Sequence, residues 1–299
     1  MAKILITGAS GLVGTALTKL LYSKHTVSGL SRFCKPGNSD CISWNYKEQQ
    51  INKNALKDVD VLVHLAGAGV MDKAWTKAYR QEIIESRVAS LQFLYRCFES
   101  NNHFPKVLVC AGGIGYYGLH SEQSSITEEH AAGTDFLSQV CVAWENAAMA
   151  FEKKNCRVVV VRTGLVLSNK GGALQPLLKL NNFHFSTVTG SGQQIFPWIH
   201  IDDLCAFYQM AIENENLRGA YNLVAPQQIT AKEFDLALIS QTRKKAYFPG
   251  ASAFVLNLLM GDRASALLFG LPISAAKVMA IGFTFKYNTI KLALKNLCE

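Results

Sequence analysis

The chain has 299 residues, of which 49% are hydrophobic and 17% charged, a composition that excludes a disordered chain and suits a globular protein with a sizeable core. Its formal net charge is +8 at pH 7, but the basic residues are dispersed, so we predict a surface that attracts anionic ligands and no nucleic-acid partner. No apolar run reaches the ~18 residues of a membrane span, and the N-terminus does not read as a signal peptide. We therefore expect a cytoplasmic protein with no membrane partner.

The eight cysteines follow no repeated spacing, and several lie inside apolar runs. This distribution predicts a reduced chain with buried thiols. The closest pair, Cys34 and Cys41, has no second pair and no nearby histidine, so we predict no metal site.

The first fourteen residues form the strongest local pattern. A β-branched apolar run over residues 3–7 predicts a buried strand, and glycines follow it at positions 8, 11 and 14. Gly8 permits a tight turn, Gly11 lets backbone N–H groups approach a diphosphate, and Gly14 lets the next helix pack on the strand. The pattern predicts a phosphate-binding turn whose cofactor contacts are Gly8, Ser10, Gly11, Leu12 and Val13.

The end of the second predicted strand, residues 26–30, indicates which dinucleotide is bound. An acidic residue there bonds the ribose hydroxyls of NAD, whereas a basic one accommodates the 2′-phosphate of NADP. This strand is followed by Ser31 and Arg32, with no acid. We predict NADP(H) as cofactor, with Arg32 on the 2′-phosphate and Ser31 as a second donor. The alternative is a surface arginine with no ligand.

Strands and helices alternate through the first half of the chain. Strands are predicted over residues 60–64, 106–110 and 157–162, with helices over 74–100 and 135–154 between them. This alternation predicts an α/β protein with a Rossmann-type, doubly wound parallel sheet.

Beyond residue 164 the alternation loosens. We predict loops and a substrate-lobe segment over 165–200, and a mainly helical region from 244 onward. The elements expected between them are helix 202–213, strand 220–224 and helix 231–242. The predicted domains are a cofactor domain over 1–164, joined by the strand near 220–224, and a small, mostly helical substrate lobe within 165–299.

Small residues follow the third predicted strand and allow a cofactor's ribose to come close to the backbone. His64, at the end of that strand, is predicted to be a core histidine. Arg87, on helix 74–100, is predicted to hold a phosphate or brace the cleft, the alternative being a surface ion pair. The predicted cofactor contacts here and after the fourth strand are Leu65, Ala66, Gly67, Arg87, Cys110 and Ala111.

Short motifs spread over residues 3–285 form a recognisable set. They are Thr7-Gly8-x-x-Gly-x-x-Gly14, Leu65-Ala66-Gly67, Trp75-Thr76, Glu85-Ser86-Arg87, Gly115-Tyr116-Tyr117-Gly118, Trp144-Glu145, Arg162-Thr163-Gly164, Trp198-Ile199-His200-Ile201-Asp202-Asp203 and Gly282-Phe283-x-Phe285. With them the chain resembles an atypical extended short-chain dehydrogenase/reductase of the NAD-dependent epimerase/dehydratase-like subgroup, the sugar-nucleotide-epimerase-like epimerase family proteins. The resemblance implies an NADP(H)-binding domain followed by a small C-terminal lobe.

Most members of the superfamily that the chain resembles use a catalytic tyrosine, a lysine four residues later and a serine or threonine after the fourth strand. A tyrosine of pKa ~10 needs nearby cations to act as a base. The resemblance to the subgroup implies loss of the tyrosine and the lysine but a serine near Gly112. Counting back from Glu145, the lysine position is Cys141 and the tyrosine position Leu137. The serine position falls within Ala111-Gly112-Gly113. The catalytic residues are therefore unknown, and the candidate substitutes are Tyr116, Tyr117, Cys141 and His200. Packing is the alternative role of the two tyrosines and of Cys141.

Two functions are compatible with a complete cofactor-binding turn and the absence of the usual catalytic residues. The first is an NADP(H)-dependent epimerase or oxidoreductase that acts on a small or nucleotide-linked substrate. The second is a non-catalytic NADP(H)-binding sensor or interaction protein. We expect a monomer or a homodimer.

Overall fold

The structure is a computed structural model that describes residues 1–34, 37, 40–118 and 124–299. Contacts divide the chain into two compact units. The first unit comprises residues 1–116, 136–162 and 205–221. The second comprises residues 117–135, 163–204 and 222–299.

The first unit is built on an eight-stranded sheet with helices between its strands. Its strands are β1 (Lys3–Thr7), β2 (Thr26–Ser31), β3 (Cys41–Asn45), β4 (Gln50–Ile51), β5 (Val61–His64), β6 (Val107–Gly113), β7 (Arg157–Thr163) and β11 (Gly219–Leu223), and its helices include α1 (Leu12–Leu21), α2 (Lys77–Ser100) and α3 (Phe136–Met149). The strand order is β11-β7-β6-β5-β1-β2-β3-β4. The predicted Rossmann-type sheet is confirmed.

Strand β1 lies between β2 and β5 and is parallel to both. The chain moves outward from β1 to β2 and β3 on one side, then crosses back to β5 and β6 on the other. The crevice at the carboxyl end of β1 is therefore the topological switch point, where ligands bind in open α/β sheets. Apolar residues of β1, β5, β6 and α2 form the core beneath it, including Leu5, Leu62, Leu91 and Leu108.

Strands β3 and β4 were not predicted. Cys41 of β3 pairs with Gly29 of β2 in parallel register, and its Cα lies 5.6 Å from that of Cys34, with which it forms a disulfide. The prediction of a fully reduced chain is therefore wrong for this pair, because the unpredicted strand brings the two residues together. The other cysteines are free thiols, and Cys97, Cys110, Cys141, Cys156 and Cys205 are buried as predicted.

The second unit contains a small three-stranded sheet in the order β10-β8-β9. Its strands are β8 (Leu165–Ser168), β9 (Gly171–Gly172) and β10 (Trp198–His200), and its helices are α4 (Leu174–Asn182), α6 (Ala231–Thr242), α7 (Ala253–Met260), α8 (Ser265–Leu268), α9 (Ala276–Ala280) and α10 (Ile290–Cys298). Helix α5 (Ile201–Glu213) runs from this unit into the first.

The sheet and helix α4 replace the loops expected over 165–200. These strands are too short for a sequence period, and packing decides their structure: Leu167, Leu174 and Trp198 belong to one buried cluster with residues of α6 and α10. Helix α6 starts with a capping box between Thr230 and Glu233. No helix formed by the described residues has the length and apolarity that crossing a bilayer requires.

Candidate cofactor-binding site

The carboxyl ends of β1 and β5 are tied together by one hydroxyl. Thr7 Oγ1 accepts hydrogen bonds from the backbone N–H of Leu65 at 3.1 Å and of Ala66 at 3.0 Å. Gly8 follows with φ +68°, and a Cβ there would lie 3.0 Å from the carbonyl carbon of Leu65. Gly8 is therefore needed both for its left-handed conformation and for the close approach of the two chain segments. The predicted contacts Gly8, Leu65 and Ala66 thus lie together at the switch point.

Helix α1 starts directly after this turn. The N–H of Gly11 donates to Gly8 O at 2.9 Å, and no side chain among the described residues caps the helix at Gly11. Its first turn contains no acidic residue. The N–H groups of the first turn and the positive end of the helix dipole are therefore available to an anion. Ser10 and Gly11 are exposed, and Leu12 and Val13 are half-buried.

Gly14 is enclosed by the turn. A Cβ at this position would lie 2.2 Å from Gly8 O and 2.7 Å from Ala9 Cα. We expect Gly14→Ala to lower the free energy of unfolding by about 1–3 kcal/mol, the usual cost of overpacking, as measured by urea unfolding. Gly11→Ala is the matched control, because its Cβ would meet only Gly8 O, at 3.2 Å. Equal losses in the two variants would contradict the packing role of Gly14.

Arg32 is exposed immediately after β2. No carboxylate among the described residues forms an ion pair with it. Ser31 is half-buried, and its hydroxyl donates to Phe33 O at 3.0 Å. The end of β2 thus offers an unpaired guanidinium and a hydroxyl beside the switch point.

Arg87 extends from α2 to the end of β5. Its Nη1 donates to Ala68 O at 3.0 Å and to Ile83 O at 2.9 Å. The guanidinium packs so closely on Gly67 that a Cβ there would lie 2.8 Å from Arg87 Cζ. No described carboxylate pairs with Arg87, so the surface ion pair considered from the sequence is not formed with any of them. Arg87 braces the loop that carries Gly67, an exposed residue.

His64 is fully buried behind the site. Its Nδ1 accepts a hydrogen bond from Trp144 Nε1 at 3.2 Å, and its Nε2 lies 3.0 Å from Ser90 Oγ. Since Ser90 Oγ donates to Ser86 O at 2.7 Å, the chain of bonds requires a neutral ring with the proton on Nε2. Burial lowers the pKa of His64 to about 3, with a smaller contribution from Arg87. The prediction of a core histidine is confirmed.

The end of β6 contacts α3. A Cβ on Gly113 would lie 3.8 Å from Cys141 Sγ, and one on Gly115 would lie 3.5 Å from Leu137 Cβ. Burial raises the pKa of Cys141 to about 12, so the residue at the lysine position is a neutral thiol at neutral pH. Cys110 is fully buried, which leaves only its backbone for the predicted cofactor contact. Ala111 is half-buried.

A buried ion pair that the sequence did not suggest lies at the end of β7. Arg162 donates from Nε to Glu145 Oε1 at 2.9 Å and from Nη2 to Glu145 Oε2 at 2.8 Å. The ring of Tyr116 covers the guanidinium, with 3.5 Å from Arg162 Cζ to the ring centroid. The position of Arg162 at the end of the apolar strand 157–162 could have indicated this ion pair, because a charge in such a strand needs a buried partner.

The other two catalytic candidates lie in the second unit. Tyr117 is buried, and its hydroxyl donates to Asn222 Oδ1 at 2.7 Å. His200 is also buried; its Nε2 lies 3.1 Å from Asn296 Oδ1, and its Nδ1 accepts the N–H of Asp202 at 3.0 Å. Both ring nitrogens of His200 are therefore engaged, and both side chains hold their own unit together. The described residues contain no cluster of three possible metal ligands.

Comparison with known proteins places these observations in a family. The family described as NAD dependent epimerase/dehydratase matches residues 4–223, and a domain of unknown function, DUF1731, matches residues 251–297. Epimerase family protein SA0724 of Staphylococcus aureus (strain N315) is 35% identical over 301 residues, with 100% of both chains covered.

Solved structures resemble the whole chain. Human epimerase family protein SDR39U1 (isoform 2), crystallised with NADPH, is 30% identical, has a TM-score of 0.87 and matches 99% of this chain and 98% of its own. The nucleoside-diphosphate sugar epimerase from Corynebacterium glutamicum is also 30% identical, with a TM-score of 0.79 over 99% of this chain and 58% of its own. The predicted family is confirmed: this chain belongs to the NAD dependent epimerase/dehydratase family.

Proposed function

We propose that this protein binds NADP(H) at the switch point of the first unit. The observation that carries the proposal is the unpaired, exposed Arg32 at the end of β2, where no acidic residue is present to bond the ribose hydroxyls of NAD. A guanidinium is suited to bind a phosphate through two N–H groups. The NADPH bound to the human relative supports this assignment.

The residues at the switch point fit such a ligand. The turn from Gly8 to Val13 and the uncapped start of α1 present N–H groups to the diphosphate. Ser31 and Arg32 hold the 2′-phosphate, and the backbone over 65–67 leaves room for the ribose. When bound, NADP(H) supplies a hydride donor or acceptor.

We further propose that the protein is an epimerase or oxidoreductase that acts on a small or nucleotide-linked substrate. The nucleoside-diphosphate sugar epimerase among the similar structures supports this class. Within the first unit, half-buried Tyr116 is the candidate for proton transfer, because it follows β6 and its ring lies 3.5 Å from Arg162 Cζ at the carboxyl end of the sheet. Product formation from nucleotide sugars and carbonyl compounds would test this class of reaction.

A second function has a specific observation in its favour. Leu137 and Cys141 face the end of β6 with an alkyl group and a neutral thiol, and neither supports a catalytic tyrosine. A non-catalytic NADP(H)-binding sensor would bind the cofactor tightly and consume none of it. Steady oxidation of NADPH with any of the nucleotide sugars or carbonyl compounds would rule this function out.

Arg32→Ala tests the cofactor assignment. We expect a loss of NADPH affinity of about 10- to 100-fold, because a hydrogen bond to a charged group contributes about 1.5–3 kcal/mol, and a change of less than about threefold for NADH, which lacks the 2′-phosphate. The dissociation constants of NADPH and NADH are measured by titration, with cofactor fluorescence as the signal. Lys19→Ala, which removes an exposed cation from α1, should change neither. Equal losses for the two cofactors would place the 2′-phosphate elsewhere.

A further inference from the structure

The two arginines at the carboxyl ends of the strands have different partners. Arg162 is neutralised by Glu145 through two charge-assisted hydrogen bonds. Arg87 is half-buried and lies between the backbone of Gly67 and the ring of Trp144, whose centroid is 5.0 Å from Arg87 Cζ. No carboxylate among the described residues is paired with it. A guanidinium that is partly removed from water and lacks a counterion favours the binding of an anion.

The titratable groups around Arg87 do not compensate its charge. His64 is neutral, since burial lowers its pKa to about 3. Burial raises the pKa of Cys141 to about 12 and that of Cys110 well above its ordinary value, so both thiols stay protonated. Burial also lowers the pKa of Arg87 itself, although a guanidinium remains charged at neutral pH. The positive charge of Arg87 is therefore not neutralised by these described neighbours.

Part of the guanidinium is free to bind. Only Nη1 donates within the described structure, to the carbonyl groups of Ala68 and Ile83. Nε and Nη2 have no acceptor among the described residues, and the side chain is only half-buried next to exposed Gly67. Two fixed N–H donors of one planar group match the two oxygens of a phosphate or carboxylate.

We propose that Arg87 is an anion-binding group of this site and that its ligand is an oxyanion. The oxyanion is either the diphosphate of the cofactor or a phosphate or carboxylate of the substrate, and in both cases the inference rests on the proposed function, because it assigns the ligand to the same crevice. Binding supplies the counterion that the described residues lack. Arg87 would then recognise the negative charge of the ligand.

The experiment compares Arg87→Met, which keeps the apolar stem, with Arg87→Lys, which keeps the charge but loses the planar group. Arg96→Met removes an exposed cation from the same helix and is the control. Dissociation constants for NADPH and 2′,5′-ADP are measured by titration. The melting temperature of the NADP⁺-saturated protein is then followed during addition of inorganic phosphate or malonate.

A loss of at least about tenfold in NADPH affinity in Arg87→Met, with a partial loss in Arg87→Lys, supports a cofactor oxyanion. If 2′,5′-ADP binds normally, the oxyanion is on the nicotinamide side of the diphosphate; an equal loss places it on the adenosine side. Unchanged NADPH binding with loss of the stabilisation by phosphate or malonate assigns the oxyanion to the substrate.

If NADPH affinity and the response to phosphate and malonate are the same in wild type and both variants, the inference is overturned. A purely structural role would lower the melting temperature equally with and without ligand. Arg87→Lys retains a cation and decides the question if Arg87→Met does not fold. Failure of the wild-type protein to bind NADPH would instead reject the proposed function, and phosphate titration of the cofactor-free protein would still test Arg87.

Discussion

Glu145→Ala is expected to lower the free energy of unfolding by about 3–5 kcal/mol, because it leaves the guanidinium of Arg162 buried without its counterion. Arg162 is 4% exposed and Glu145 is 9% exposed, so water cannot replace the two hydrogen bonds of 2.9 and 2.8 Å. Urea unfolding at neutral pH measures the loss. The same substitution also frees the guanidinium that packs against Tyr116.

A double variant separates the effect of losing the ion pair from the effect of leaving one charge buried alone. Glu145→Leu combined with Arg162→Met removes both charges, and we expect it to be more stable than Glu145→Ala alone. Asn146→Ala, at the adjacent exposed position of α3, should change stability by less than about 0.5 kcal/mol. A loss below about 1 kcal/mol in Glu145→Ala would mean that the pair behaves as a surface ion pair.

His64 is expected to make stability fall as the pH is lowered. Its pKa is about 3 in the folded chain and near the ordinary value of about 6.5 in the unfolded chain. Between these values only the unfolded chain takes up the proton, so the stabilisation is complete above about pH 6.5 and is lost toward pH 3. In the lower part of this window, the loss approaches about 1.4 kcal/mol for each pH unit.

Urea unfolding between pH 7 and pH 4.5 gives the dependence on pH. His64→Gln keeps a hydrogen-bond donor and an acceptor near Trp144 and Ser90 but does not titrate, so its stability should depend less on pH than that of the wild type. His184→Gln changes a half-buried histidine of the second unit and serves as the control. If His64→Gln and the wild type lose stability in parallel, His64 is not the source of the acid sensitivity.

Local sequence features are more informative at the candidate site than in the second unit. About thirty residues of sequence are enough to interpret the strand over 3–7, the three glycines and the end of β2. Each of these features depends on local backbone geometry or local charge. Strand β3 and the sheet over 165–200 were missed, since strands of two to five residues leave too few positions for a period to emerge.

The electrostatic partners could not be predicted from sequence. Glu145 and Arg162 lie 17 positions apart, on a helix and a strand, and nothing in their local sequences specifies the pair. Arg87 was selected as a cofactor residue from its helix face, but its stacking on Trp144 and its lack of a described carboxylate partner depend on packing. Such features follow from tertiary contacts and not from propensity.

The order of strands also determines when the first unit can fold during synthesis. Its sheet ends with β11, which neighbours β7, and Arg157 at the start of β7 donates to the carbonyl groups of Ala211 and Leu217 at 2.9 Å. These partners emerge from the ribosome more than fifty residues after Arg157. A chain that ends at residue 164 would leave β7 as an open edge with Arg157 unsatisfied, a template for aggregation. A truncated chain used to study cofactor binding alone should therefore retain the sequence through residue 223.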